Sequence, residues 1–226
     1  MRVRAGLLVG GWLLQAALPA PSNAAEVAGR VALRGTANAD QPAVGAVIWV
    51  PGVPGAPPPA SAPTLASKDK RFDPHVVVAM RRSTVVFPNL DKIFHNVFSR
   101  SPGNEFDLGL YRGGKSRDFQ FATPGLVRIY CNIHSEMAAY VMVLEGAAFA
   151  VADASGRYRI TGLPEGRREV RVWHEKAGET SGTVDVSEGR AATLDLLLDA
   201  SAYRDQPHKN KYGEDYPPAT SDADRY

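Results

Sequence analysis

From Val27 to Leu198 the sequence keeps dividing its apolar residues into short runs of period two, and Gly, Pro, Asn or Asp soon stops each run. Val31 and Leu33, Val47 and Trp49, Val127 and Ile129, and Tyr158 and Ile160 all alternate with other residues in this way. No convincing long amphipathic helix interrupts them. A chain patterned like this buries an apolar face by laying sheet on sheet, so the expected fold class is all-β, built as sandwiches or a barrel. With 226 residues, 44% of them hydrophobic, it suits one large or two small cores.

Composition shifts mark the expected boundaries. Residues 1–24 open with Arg2 and Arg4, continue through an apolar stretch from Ala5 to Leu18, and end in small residues around Ser22 and Ala24. This is the layout of a signal peptide cleaved after Ala24, too short for a comfortable membrane span, so export to the periplasm is expected. Between Pro51 and Pro63, "PGVPGAPPPASAP" reads as a polyproline linker. Residues 201–226 are polar, carry tyrosines and lack periodicity, and read as an extended tail.

Charge excludes one large class of partner. Loss of Arg2 and Arg4 lowers the 26 basic residues to 24, equal to the 24 acidic ones. No basic stripe with interleaved aromatics is present, so nucleic acid is not an expected partner. There is no nucleophile elbow, phosphate loop or HExxH motif.

Cys131 is the single cysteine. Alone, it could be a buried inert thiol. Its surroundings, "LVRIYCNIHSEM", give a second reading. Strand alternation places Val127, Ile129 and Cys131 on one face, at the end of a strand, and His134 and Met137 follow at spacings of three in a loop able to fold back. Residues 94–98, "FHNVF", add His95 on another strand. Two histidines, one cysteine and a distant methionine make the ligand set of a blue-copper centre, and zinc rarely takes methionine. His75 and His174 read as structural or surface histidines, and His208 lies in the tail.

The stretch from Phe72 to Val143 resembles the plastocyanin, amicyanin and azurin group of cupredoxins. The short Cys-x-x-His-x-x-Met loop is most similar to that of amicyanin, and "FDLGLY" beside "HNVFS" resembles bacterial methylamine-utilisation proteins. The resemblance implies a Greek-key sandwich with one type 1 copper held by His95, Cys131, His134 and Met137. It also implies that Asn96 ties the two ligand loops together near the sulfur. The loop departs from the amicyanin pattern in having Ser135 and Glu136 where those proteins tend to carry a proline.

Further on, "DASGRY" and "LPEG" resemble turns of a transthyretin-like or carboxypeptidase-regulatory-like sandwich, whose opening strands are missing there but match "VAGRVAL" and "AVGAVIWV" near the start. The expected organisation is therefore a discontinuous transthyretin-like domain, residues 25–60 with 147–200, interrupted by a cupredoxin domain at 61–146. The functional expectation is a monomeric periplasmic single-electron carrier, not an enzyme, exchanging electrons with a dehydrogenase or c-type cytochrome. A copper-binding or copper-handling protein without a carrier role is the alternative, and an adhesion module with a vestigial site is a third reading.

Overall fold

The computed structural model describes residues 25–35, 39–53, 61–205 and 207–217. The segment 1–24, most of the proline-rich stretch and the last residues of the tail lie outside these. Among the described residues the chain is all-β, and no helix is long and apolar enough to cross a membrane.

The first strands are β1 (Ala25–Arg34), β2 (Gln41–Pro42) and β3 (Val47–Pro51). A middle group follows: β4 (Ala66–Lys68), β5 (Arg71–Asp73), β6 (Val76–Met80), β7 (Thr84–Pro88), β8 (His95–Ser99), β9 (Phe106–Tyr111), β10 (Ser116–Gln120), β11 (Gly125–Tyr130) and β12 (Ala138–Leu144). The last are β13 (Ala147–Val151), β14 (Arg157–Leu163), β15 (Gly166–His174), β16 (Gly178–Val186), β17 (Ala191–Thr193) and β18 (Leu196–Asp199).

Two sandwiches result. In the first, β14, β1 and β17 with β2 and β18 face the sheet β13-β3-β15-β16 across a core containing Val27, Val31, Ile48, Ile160, Val172 and Leu198. Val31 stands opposite Leu196, and Val47 lies opposite both Val151 and Trp173. Along β1 the lateral partner changes from β17 to β18 at Gly29. A Cβ on Gly29 would sit 2.0 Å from the Leu194 carbonyl oxygen, so only glycine admits that approach. In the second sandwich, β6-β12-β11-β8-β9 packs against β7 and β10 around Val85, Phe87, Val97, Phe121, Ile129 and Val141.

A third apolar cluster joins the two. Val47, Trp49 and Trp173 present the outer face of the β3 and β15 sheet to Met142 and Leu144 of β12, with Val76, Val78 and Tyr140 around them. Alternation alone marks one buried face on β3, yet Val47, Ile48, Trp49 and Val50 are all buried, because each face of the strand meets a different sheet.

His75 and Glu175 bridge the same junction at 2.6 Å. The hydrogen bond to Glu175 raises the His75 pKa, and the reciprocal bond lowers that of Glu175. Stabilisation by a raised histidine is complete below its ordinary value of 6.5 and fades as pH rises. That by a lowered glutamate is complete above 4.5 and fades as pH falls. The pair should therefore stabilise the fold most between these values. His75 is about half exposed, so screening keeps the increment under about 1 kcal/mol. Thermal melts across pH should show this increment disappearing in Glu175→Gln; identical profiles for the two proteins would contradict it.

Candidate metal centre

The segment from Cys131 to Met137 is the connection of the β11–β12 hairpin, whose last paired residues are Tyr130 and Ala138. The Cys131 N–H donates to the Met137 carbonyl at 3.1 Å, and the Met137 N–H donates to the His134 carbonyl at 3.1 Å. These bonds close the neck of the loop and return Met137 beside Cys131. Both side chains are wholly buried. His95 opens β8, the strand next to β11, where Phe98 pairs with Tyr130, and it is buried as well. The half-buried His134 forms the outer side of the group.

The donor atoms converge. His95 Nδ1 and His134 Nδ1 are 3.2 Å apart, and His134 Nδ1 is 3.5 Å from Cys131 Sγ. One donor atom from each of His95, Cys131 and His134 lies within 4.8 Å of the others. Nitrogen and sulfur atoms about 2.0–2.3 Å from a shared ion are separated by roughly 3.2–3.8 Å, so these three residues fit one metal ion. Met137 belongs to the same buried core, on the inner side of the loop.

The protonation chemistry agrees. Burial lowers the His95 pKa, opposed by Asp91, so the ring is neutral at neutral pH. Its Nε2 lies 2.7 Å from Asp91 Oδ2 and carries the hydrogen, which leaves the Nδ1 lone pair directed at the other donors. Burial raises the Cys131 pKa, partly offset by the backbone N–H groups of Asn96, Ile133 and His134. The Asn96 side chain also spans the two loops: Oδ1 accepts from Asn132 N–H at 3.2 Å, and Nδ2 donates to Asp107 Oδ1 at 2.6 Å.

Asp91 is the contributor that motif reading misses. Burial alone would raise its pKa, yet hydrogen bonds from Lys70 N–H, His95 and Asp69 N–H hold it below the ordinary carboxylate value. The amides of Asp69 and Lys70, at 2.7 and 3.0 Å, belong to the β4–β5 turn, where both residues have positive φ (53° and 55°). One carboxylate therefore holds a tight hairpin turn and the tautomer of His95 together. Gly113 leaves room for this loop, since a Cβ there would lie 1.9 Å from the Asp91 carbonyl oxygen. The only local signal is an acid four residues before the histidine. Asp91→Ala should weaken metal binding roughly 10–100-fold; competitive chelator titration checks this, and unchanged affinity would remove Asp91 from the centre.

His208 and the tail also differ from their reading in sequence. Residues 207–217 form no regular strand but lie against the Cys131 end of the second sandwich. The His208 ring stacks on Tyr130 with centroids 4.1 Å apart. Polar composition without periodicity hides this, because the contacts are single side-chain bonds and not a repeating face.

No family model and no curated protein matches the chain. Solved structures do. A reduced copper(I) form of an amicyanin variant at pH 4 matches with a TM-score of 0.35 and 16% identity, over 37% of this chain and 82% of that one. A purple cupredoxin from Nitrosopumilus maritimus matches with a TM-score of 0.32 and 18% identity, over 36% of this chain and 98% of that one. A copper-containing nitrite reductase from Thermus scotoductus matches with a TM-score of 0.36 and 22% identity, over 38% of this chain and 23% of that one.

Proposed function

We propose that this chain is an exported blue (type 1) copper protein that carries single electrons between periplasmic redox partners, such as a dehydrogenase or a c-type cytochrome. The observation that carries this reading is the convergence of His95 Nδ1, His134 Nδ1 and Cys131 Sγ beside the buried Met137. Two imidazoles and a thiolate with a thioether nearby suit copper and disfavour zinc. Copper bound there would supply a one-electron couple.

The protein's own residues do the rest. Asp91 fixes the His95 tautomer, Asn96 clasps the two loops, and the surrounding strands keep Cys131 and Met137 from water. Donors that cannot rearrange keep the cost of changing oxidation state low. His134, the outermost donor, is the point where a partner would approach, and a carrier suits small, weak contacts. Buried Cys131 and Met137 favour electron transfer over delivery of the ion, which calls for exchangeable ligands. A donor set completed by Met137 leaves no place for substrate, which is why a carrier is proposed and not an enzyme.

Residues 1–24 are proposed as the export signal. Residues 25–60 with 147–200 are proposed as one transthyretin-like unit interrupted by residues 61–146. In support, β1 and β3 take their long-range partners from β13, β14, β15, β17 and β18.

Voltammetry of the copper-loaded protein tests the carrier role. A reversible one-electron wave, unchanged over repeated cycles, is expected; metal loss on reduction would favour copper handling instead.

A further inference from the structure

The C-terminal segment 207–217 is bonded to the residues that flank the metal donors. Tyr216 Oη donates to the carbonyl of Cys131 at 2.6 Å. That commits its one proton, so His208 Nδ1, 3.2 Å from the same oxygen, must be the donor to it. The Lys209 carbonyl, also 3.2 Å from this nitrogen, is consistent with an N–H there. The His208 ring then lies over Tyr130 at an interplanar angle of 20°, covering the residue before the cysteine.

Lys211 closes a hydrogen-bonded circuit. Its backbone N–H donates to Asn132 Oδ1 at 2.9 Å, and its ammonium donates to Asp107 Oδ2 at 2.7 Å. Asp107 Oδ1 accepts from Asn96 Nδ2, and Asn96 Oδ1 accepts from Asn132 N–H, which returns to the start. The circuit passes through Asn96, next to His95, and Asn132, next to Cys131. Arg100 adds a bond to the Lys211 carbonyl.

We propose that residues 207–217 are a built-in strap of the metal centre, with Tyr216 and Lys211 as positioning residues that fix the Cys131 loop and raise the reduction potential. The inference rests on the copper reading above. Its physical basis is twofold. The Tyr216 hydroxyl directs the positive end of its dipole at the ligand residue, which favours the reduced, more electron-rich centre. The Lys211 circuit couples the two donor loops, so one cannot open without breaking bonds to the other.

The test compares the full chain with Tyr216→Phe and with a chain ending at Asp205. Both variants should keep the thiolate-to-copper band. Tyr216→Phe should lower the reduction potential and speed copper extraction by a chelator roughly tenfold, and truncation should speed it further. Wild-type potential and extraction rate in both variants would overturn the strap. A full-length chain that binds no copper would instead overturn the copper reading. The strap is then decided in the metal-free protein by exchange of the Lys211 amide hydrogen. Protection that is lost in Tyr216→Phe supports it, and equally fast exchange in both proteins refutes it.

Discussion

Cys131→Ser should remove the intense visible absorption of the copper-loaded protein completely. Sulfur-to-copper charge transfer requires a thiolate, and a serine oxygen cannot supply it. The fold should survive the exchange. The site is fully buried, but the backbone N–H groups of Asn96, Ile133 and His134 directed at the sulfur can bond a hydroxyl oxygen. They would offset the cost of about 1–3 kcal/mol for burying an unpaired hydroxyl. Absorption and circular dichroism on the same sample separate the two effects. A retained visible band would show that Cys131 is not a ligand, and a lost fold would show that the thiol is chiefly structural.

Phe121→Ala should cost about 3–5 kcal/mol, the range for removing a fully buried phenylalanine. The ring has no exposed surface and packs edge-on against Phe119 at 5.1 Å and Phe106 at 6.0 Å. Its backbone also organises the β6–β7 turn, accepting from Arg82 N–H and donating to the Ser83 carbonyl. Domains are stable by only about 5–15 kcal/mol, so this loss consumes a large share and should release metal well below the wild-type melting temperature. Urea unfolding should show a lower midpoint at an unchanged slope. A loss below about 1 kcal/mol would place the centre of the second core elsewhere.

Legibility in the sequence followed burial geometry. Val127, Ile129 and Cys131 alternate cleanly because one face of β11 meets the core and Arg128 meets water. The His95, Cys131 and His134 group is legible because its residue types are rare together and two of its members lie on a single hairpin. The joining cluster is not legible: "AAYVMVLE" and "VIWV" are apolar on both faces, and such runs do not say which sheet covers which side. Asp91 hides among ordinary loop acids, since its role depends on the positive-φ turn at Asp69 and Lys70 brought to it from β4–β5. The strap hides for a related reason. Its anchors, His208, Lys211 and Tyr216, are irregularly spaced, and each meets a partner far away in the chain.

The most direct test of the proposed copper centre is the visible and EPR spectrum of the protein lacking residues 1–24 after loading with one equivalent of Cu(II). With Cys131 Sγ and the Nδ1 atoms of His95 and His134 around one ion, an intense thiolate-to-copper band and a narrow copper hyperfine splitting are expected. A nearly colourless complex with the wide splitting of ordinary square-planar copper would rule out a type 1 centre at these residues.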